Sequence, residues 1–220
     1  MPGKYPLQDI VAASTPYLVV RTHPVILYMP AADAALNSEY VDQTRIVFEN
    51  LADVEVLDLT HSIPLEDLES GIEQATVLYI PGGNTFLLLD RLYRSRAFHL
   101  IQARVQAGMP LVGFSAGMVI CGENILTTND NNDCESTKFT GLGFTKYNFV
   151  AHYPASEGEE RKQRDSRINK YHNSHTNPVL AVEDDGYVEI DSEGTKVVRG
   201  HCWLFEARKE KTLLEEGYIG

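Results

Sequence analysis

Residues 110–120 read PLVGFSAGMVI, and this stretch sets the interpretation of the whole chain. Its first apolar run predicts a buried strand, and a second apolar run after a group of small residues predicts a helix. Ser115 lies at the junction, with Gly113 and Gly117 two positions to either side. A strand, a tight turn that carries a hydroxyl and a helix are typical of the nucleophile elbow of α/β hydrolytic enzymes. GFSAG also occurs by chance in ordinary turns, so the remaining sequence has to distinguish a nucleophile elbow from a simple turn.

Strands and helices alternate through the first half of the chain. Apolar segments predict strands at 25–30, 54–59, 76–80 and 110–114. Amphipathic segments predict helices at 38–50, 64–75 and 116–124, and one or two helices over 86–108. Such alternation, with short turns that contain Gly or Pro, predicts a mostly parallel sheet covered by helices on both faces.

The second half of the chain has more strands and fewer helices. Short apolar segments predict strands at 148–153, 178–184, 186–191, 195–200 and 202–207. A charged helix is predicted over 156–172, and the DDG and SEG triplets predict hairpin turns. No repeat or low-complexity tract interrupts the pattern, so we expect one domain over 1–220, with a parallel core and an antiparallel C-terminal extension.

Composition excludes several classes of partner. The 19 Lys and Arg against 31 Asp and Glu give a net charge of −12, which argues against nucleic acid and acidic membranes as partners. No segment approaches the roughly 20 apolar residues of a membrane span, and the N-terminus lacks the pattern of a secretory signal. Three scattered cysteines predict no disulfide framework. We therefore expect a cytoplasmic protein, in which an acidic substrate would need a local cation.

A serine nucleophile needs a base, and His152 is the best placed of the seven histidines. It closes the apolar strand NFVAHY, and the carboxyl ends of strands are where open α/β sheets bind ligands. His99 lies in a helical stretch, and His172 and His175 lie in a polar loop without further ligand residues, so no zinc site is predicted. The alternative for His152 is a histidine that merely ends a strand.

An acid should orient the imidazole, and the EDDG stretch offers three consecutive candidates. Glu183, Asp184 and Asp185 follow another predicted strand. Acidic clusters before glycine are commonly simple turns, so these residues alone leave the choice open.

Several motifs occur together in a specific order. The chain resembles the aspartyl dipeptidase branch of peptidase family S51, from VILYMPAAD at residue 25 to CWLF at residue 202. The motifs that carry this resemblance are PGGNTF (81–86), GFSAG (113–117), TTND (127–130), AHYP (151–154), GEERKQR (158–164) and DG (185–186). Singly they are common, but jointly they are highly specific.

The resemblance implies a flavodoxin-like three-layer α/β sandwich related to class I glutamine amidotransferases, with serine where those enzymes use cysteine. It implies that Ser115 is the nucleophile and His152 the general base. It also implies that the triad acid is Asp185, directly before Gly186. The family pattern has Glu at that position, and an insertion of one residue would give the role to Asp184 instead.

The resemblance implies further roles around the nucleophile. Gly83 and Ala116 would stabilise an oxyanion through their backbone N–H groups. Arg161 would bind the substrate's aspartyl side chain, because a guanidinium can hold both oxygens of a carboxylate. Asp130 would bind the substrate's α-amino group, and Asn84 would also contact substrate. From the residues alone, Arg161 is a solvated helix residue and Asp130 an Asx turn.

The sequence therefore predicts a serine exopeptidase that cleaves dipeptides with N-terminal aspartate and needs neither metal nor other cofactor. Its expected partner is a small acidic peptide substrate, with no nucleic acid and no membrane, and it is a monomer or homodimer. Two alternatives remain: a cyanophycinase-like hydrolase of β-aspartyl links, and a non-catalytic amidotransferase-like domain that binds a metabolite. The stretch 1–21 is less like the family and predicts an altered first strand.

Overall fold

The computed structural model describes residues 7–30 and 34–219, which group into two compact units. One unit contains the described residues up to Met118 together with Asp130–Phe139. The other contains Val119–Asn129 and the described residues from Thr140 onward. The single domain over 1–220 stays a prediction from the sequence.

The first unit is built on a four-stranded parallel sheet, as the sequence predicts. Its strands are β1 (Val25–Tyr28), β2 (Asp53–Val56), β3 (Val77–Ile80) and β4 (Leu111–Gly113). They lie in the order β2-β1-β3-β4, which is the order of flavodoxin-like sheets. Strand β3 is buried at all four positions, which is typical of a central parallel strand. The predicted α/β class with a parallel central sheet is confirmed.

Six helices occur in the same stretch of chain. They are α1 (Leu7–Leu18), α2 (Ala34–Phe48), α3 (Leu65–Gln74), α4 (Thr85–Ser95), α5 (Ala97–Gln106) and the short α6 (Ala116–Val119). Arg96, with φ +68°, separates α4 from α5, so the predicted one or two helices over 86–108 are two. None of the helices within residues 7–30 and 34–219 combines the length and apolar character that crossing a membrane requires.

The N-terminal stretch differs from its prediction. We expected an altered first strand within residues 1–21, but α1 is a helix, and residues 1–6 of that stretch lie outside the described part. Ile10, Ser14 and Leu18 are its buried residues, and they recur every four positions. That spacing gives α1 one buried face, and Ile10 and Leu18 belong to the core of the first unit.

The second unit contains two small sheets and one long helix. The helix is α7 (Glu159–Tyr171). The strands are β5 (Asn148–Val150), β6 (Val179–Val182), β7 (Tyr187–Ile190), β8 (Thr195–Arg199), β9 (Cys202–Phe205), β10 (Thr212–Leu214) and β11 (Gly217–Tyr218). One sheet has the order β10-β9-β6-β5, in which only β5 and β6 are parallel, and the other is antiparallel with the order β11-β8-β7. This is the predicted antiparallel extension.

Of the two predicted hairpins, only one forms. Strands β7 and β8 pair across the SEG turn, where Asp191 N donates to Gly194 O. The DDG turn does not join paired strands, because β6 pairs with β5 and β9. At this turn Glu183 N donates to His201 O, and Gly186 N donates to Glu183 O. The chain therefore passes from one sheet to the other at the EDDG stretch.

Helix α6 is shorter than predicted. The sequence suggests a helix to residue 124, but it ends at Val119. The following carbonyl groups accept hydrogen bonds from a later segment: Leu142 N donates to Ile120 O, and Phe144 N donates to Cys121 O. A carbonyl engaged in this way does not continue the helical pattern, so the helix stops after one turn.

Candidate active site

Ser115 occupies a strained turn at the carboxyl end of strand β4. Its φ of +53° lies in the left-handed region, which costs a non-glycine residue about 1–3 kcal/mol. Phe114 N donates to Ile80 O at 3.0 Å, which joins the end of β4 to the end of β3. Met118 N then donates to Ser115 O at 3.0 Å and closes the turn. This local geometry is that of a nucleophile elbow.

The two glycines of the GFSAG motif are required by close backbone contacts. A Cβ at Gly117 would lie 2.1 Å from Ile80 O, and a Cβ at Gly113 would lie 2.5 Å from Gly117 O. Real Cβ atoms do not approach oxygen so closely, so no other residue fits without moving the backbone. The placement of Gly113 and Gly117 two positions to either side of Ser115 therefore has a steric cause.

The Gly82–Gly83 turn after β3 borders the serine. A Cβ at Gly82 would lie 3.1 Å from Ser115 Cβ and 3.5 Å from Ser115 Oγ. Gly83 has φ +141°, a conformation that favours glycine. Within the described part of the chain, the N–H groups of Gly83 and Ala116 make no hydrogen bond. Both predicted oxyanion donors thus belong to turns beside Ser115 and remain able to donate to a ligand.

Asp130 and Asn84 hold the beginning of helix α4. Asp130 Oδ2 accepts from Thr85 N at 2.7 Å and from Thr85 Oγ1 at 2.5 Å. Asn84 is the N-cap of α4, accepting from Leu87 N at 3.1 Å, and its Nδ2 donates to Asn131 O at 2.8 Å. These contacts are structural, because they satisfy N–H groups that the first turn of a helix leaves unpaired.

His152 follows strand β5 in a conformation like that of Ser115. Its φ is +54°, again in the left-handed region. Its Nδ1 lies 2.6 Å from Asp184 Oδ1, with the two side chains 47% and 74% exposed. In a catalytic triad the acid holds this ring nitrogen, so that Nε2 can exchange a proton with the nucleophile. The pair has the contact that a general base and its orienting acid require.

The three consecutive acids of the EDDG stretch contact three different side chains. Asp184 contacts His152, whereas Asp185 Oδ2 lies 2.9 Å from His201 Nδ1. The resemblance assigned the triad acid to Asp185, but its carboxylate is committed to His201, so the geometry favours Asp184. Burial of Asp185 acts to raise its pKa, whereas hydrogen bonds from the side chain and the backbone of His201 act to lower it. The net effect is a pKa of Asp185 below its ordinary value. The hydrogen bond to Asp185 raises the pKa of His201.

Arg161 is buried, which the interpretation as a solvated helix residue did not predict. Its Nη2 donates to Glu183 Oε1 at 2.6 Å and its Nε donates to Pro154 O at 2.7 Å. The guanidinium carbon lies 5.0 Å from the Tyr153 ring centroid and 4.8 Å from that of Trp203, which are cation–π distances. The arginine is therefore fixed by an ion pair, a carbonyl and two aromatic rings.

Three residues near this arginine were not singled out in the sequence. The Tyr153 hydroxyl donates to Asp165, while Lys211 Nζ lies 2.9 Å from the Tyr153 hydroxyl and 2.5 Å from Asp165 Oδ2. Burial, together with the hydrogen bond to Asp165, raises the pKa of Tyr153. The sequence feature that could have identified Tyr153 was the AHYP motif, in which Tyr153 directly follows His152.

A metal ion has one candidate location among the described residues. Ligand atoms of Glu183, Asp185 and His201 all lie within 4.8 Å of one another. Glu183 Oε1 already accepts from Arg161 and from Trp203 Nε1, the latter at 2.9 Å, and Asp185 pairs with His201. Hydrogen bonds within the protein account for this cluster, so its geometry gives no reason to assign an ion.

Sequence comparison connects this geometry to a family. Residues 9–198 match the sequence profile of peptidase family S51. Peptidase E of Shewanella denitrificans is 31% identical over 197 residues, which cover 87% of this chain and 82% of the relative. Peptidase E of Shewanella amazonensis is 35% identical over 144 residues, which cover 63% of this chain and 60% of the relative.

Solved structures show the same fold. A protein from Listeria monocytogenes EGD-e, provisionally assigned as a peptidase E, has a TM-score of 0.63 and 19% identity, with 97% of this chain and 93% of that one covered. A peptidase from an acI-B1 actinobacterium has a TM-score of 0.72 and 13% identity, with 96% and 88% covered. The profile match over most of the chain and the 31% identity to a relative covered over most of its length show that this chain belongs to peptidase family S51, a family of peptidases.

Proposed function

We propose that this peptidase is a serine exopeptidase that hydrolyses dipeptides with an N-terminal aspartate. Family membership supplies the general activity, and relatives named Peptidase E favour the finer assignment. The observation that carries the proposal is the elbow of Ser115, a left-handed serine beside Gly82 at the end of a parallel strand. A polar residue held in such strain is typical of a reacting group.

The first half of the reaction transfers the aspartyl group to the enzyme. Ser115 Oγ attacks the carbonyl carbon of the peptide bond, and its proton passes to Nε2 of His152. The tetrahedral intermediate then collapses, the C–N bond breaks, and His152 returns the proton to the leaving amine. Asp184 holds Nδ1 of the imidazole and stabilises its charged form. The mechanism requires that the imidazole reach the serine hydroxyl.

The second half releases aspartate. A water molecule gives one proton to His152 and attacks the acyl carbon, the bond to Ser115 Oγ breaks, and the serine recovers its proton. In both halves the N–H groups of Gly83 and Ala116 would hold the oxyanion. Loss of one such donor costs about 100- to 1,000-fold in rate in well-studied peptidases.

Selection of an acidic residue is assigned to Arg161. A chain with net charge −12 repels an acidic ligand, so a fixed cation has to offset that field. Arg161 uses Nε and Nη2 within the protein, and its Nη1 makes no hydrogen bond to the described residues. That nitrogen could donate to a substrate carboxylate. For Asp130, the contacts with Thr85 favour support of helix α4 over direct binding of the substrate's amino group.

The proposal is tested with Ser115→Ala and a panel of dipeptides. We expect wild-type protein to hydrolyse Asp-Leu faster than Asn-Leu, Glu-Leu or Leu-Leu, and Ser115→Ala to fold normally, by circular dichroism, without hydrolysing any of them. Preference for a β-aspartyl over an α-aspartyl dipeptide would instead favour the cyanophycinase-like activity. Failure of wild-type protein to hydrolyse any member would favour a non-catalytic binding domain, and unchanged turnover by Ser115→Ala would exclude the serine mechanism.

A further inference from the structure

The proposed substrate-binding arginine and the proposed base are supported by the same two short segments. The segment 152–154 carries His152 and also Pro154, whose carbonyl oxygen accepts from Arg161 Nε at 2.7 Å. The segment 183–184 carries Asp184, which contacts His152, and Glu183, which contacts Arg161. Arg161 is therefore connected to the His152–Asp184 pair by two routes, each only two or three residues long.

Glu183 is the buried member of this arrangement. Its side chain is 6% exposed and that of Arg161 is 7% exposed, so each charge has lost most of its water. A buried carboxylate is strongly disfavoured unless it is paired and hydrogen-bonded. Glu183 Oε1 meets that condition with two donors, Arg161 Nη2 at 2.6 Å and Trp203 Nε1 at 2.9 Å. Because both donors converge on one oxygen, that oxygen sets where the guanidinium lies.

The aromatic rings prevent the arginine from moving sideways. Arg161 lies over the rings of Tyr153 and Trp203, and Lys211 Nζ lies 5.1 Å from the Trp203 ring centroid. Lys211 is itself held by Asp165 at 2.5 Å. An arginine ordered before the substrate arrives does not lose its rotamer freedom on binding, so more of the binding energy is available for selection.

We propose that Glu183 is a positioning residue for substrate selection, which holds Arg161 at a fixed place relative to the His152–Asp184 pair without touching the substrate. This inference rests on the proposed function, because the selection concerned is that of an N-terminal aspartate. Two neighbouring acids then have separate duties. Asp184 contributes to the rate of the chemical step, and Glu183 contributes to the preference for an N-terminal aspartate.

Two other roles for Glu183 make different predictions. If Glu183 only neutralised the buried charge of Arg161, the selectivity would depend on the charge at position 183 and not on the length of that side chain. If it only stabilised the fold, substitution would lower the midpoint of thermal unfolding without changing selectivity. Glu183→Asp keeps the charge and shortens the side chain by one methylene group, whereas Glu183→Gln keeps the length and removes the charge. The two variants separate position from charge.

The measurement is the ratio of kcat/KM for Asp-Leu to kcat/KM for Asn-Leu, two substrates of nearly equal size in which a carboxylate is replaced by a neutral amide. We expect Glu183→Asp to lower this ratio about tenfold, since a charge-assisted hydrogen bond to substrate is lost. Glu183→Gln should keep the ratio within about threefold, because an amide oxygen of the same reach still accepts from Arg161. Turnover of Asn-Leu is measured in the same variants, because an equal fall for Asn-Leu and Asp-Leu would report damage to the His152–Asp184 pair and not a loss of selection.

Trp203→Phe provides a milder test that leaves the ion pair in place. It removes the indole donor to Glu183 and keeps an aromatic ring, so we expect the ratio to fall about two- to fivefold. Glu160→Gln is the matched control, because it removes a charge from the same helix at a residue that is 71% exposed and lies 3.7 Å from Arg164, not from Arg161. It should leave the ratio unchanged.

The outcomes are distinguishable. If wild-type protein shows no preference for Asp-Leu over Asn-Leu, the proposed function fails and Glu183 has no selection to support. If wild-type protein shows the preference and both Glu183→Asp and Trp203→Phe retain it, the positioning role alone is overturned. A fall in the ratio for Glu183→Gln but not for Glu183→Asp assigns the effect to charge and also overturns the positioning role, as does an equal fall in Glu160→Gln.

Discussion

Ser115 in the first unit and His152 in the second have the same unusual backbone and are held in it by different means. Each follows the last residue of a parallel strand by two positions, with φ of +53° and +54°. Ser115 is held by backbone contacts that only glycine permits, at Gly113 and Gly117. His152 is followed by Tyr153, whose backbone N–H donates to Val182 O at 2.9 Å and whose buried side chain is hydrogen-bonded to Asp165 and Lys211.

This difference explains why the sequence predicts the turn at Ser115 but does not show what supports the turn at His152. Glycine contacts leave a local signature, because the small residues must stand at fixed positions around the serine. A side-chain anchor draws its partners from far along the chain: Asp165 and Lys211 lie 12 and 58 positions from Tyr153. Nothing near His152 in the sequence marks them.

The largest effect is expected from adding one methyl group to the serine turn. In Gly117→Ala the new Cβ would meet Ile80 O at 2.1 Å, so strand β3 and the turn must separate. We expect the free energy of unfolding to fall by about 3 kcal/mol or more, or the protein to be insoluble. Peptidase activity should be lost in either case. Gly71→Ala is the control, because a Cβ there meets nothing within 4 Å. Urea unfolding that is equal for the two variants would contradict the steric explanation.

The next effect separates the two candidate acids beside the base. Asp184→Asn removes the charge that contacts His152 Nδ1, and we expect kcat for Asp-Leu to fall by about 10²–10⁴. Asp185→Asn acts on the pair with His201 and should lower kcat less than about fivefold. The reverse order would return the triad role to Asp185, as the resemblance suggested.

A smaller effect is expected when the anchor behind the base is weakened. Tyr153→Phe removes a hydroxyl that donates to Asp165 and accepts from Lys211, which should cost about 1–2 kcal/mol of unfolding free energy. We also expect a few-fold fall in kcat with KM nearly unchanged, because the following residue fixes the backbone of His152. Tyr218→Phe, which removes an exposed hydroxyl bonded to Glu193, should leave both quantities unchanged. Loss of stability with full kcat would show that the anchor does not reach the base.

The smallest effect concerns the pH dependence of the Asp185–His201 pair. The raised pKa of His201 means that its contribution to stability is present below 6.5 and is lost as pH rises through the folded value. The lowered pKa of Asp185 means that its contribution is present above 3.8 and is lost as pH falls. His201→Gln should therefore lower the midpoint of thermal unfolding most near about pH 5 and least near about pH 8. Because both side chains are more than half exposed, the shift should be small, and a larger shift at the higher pH would contradict the pairing.

Much of the fold was predictable from local pattern. Alternating apolar and amphipathic segments predicted the strands of the parallel sheet, because buried parallel strands read as short apolar runs. Helix α6 was predicted too long, because its carbonyls bond to residues 142–144, more than twenty positions away. The DDG turn was misread as a hairpin for the same kind of reason, since the partner of β6 is the later strand β9.

The candidate site was less predictable than the fold. Which of Glu183, Asp184 and Asp185 contacts His152 depends on the direction in which each side chain leaves the turn. Residue types alone do not determine that direction. The burial of Arg161 depends on Glu183 and Trp203, which stand 22 and 42 positions further along the chain. Its charged neighbours on the helix suggested a solvated face instead. Residues that owe their environment to distant partners are those that sequence reasoning misses.

The central claim is that Ser115 and His152 act as one catalytic unit. The most direct measurement is kcat for Asp-Leu in Ser115→Ala, His152→Asn and the double variant, where asparagine is chosen because it tolerates a left-handed φ. We expect each single substitution to lower kcat by about 10³-fold or more, and the double variant to be no slower than the slower single variant, because residues that act together lose their effect together. Losses that multiply in the double variant, or a His152→Asn enzyme with wild-type turnover, would contradict the claim.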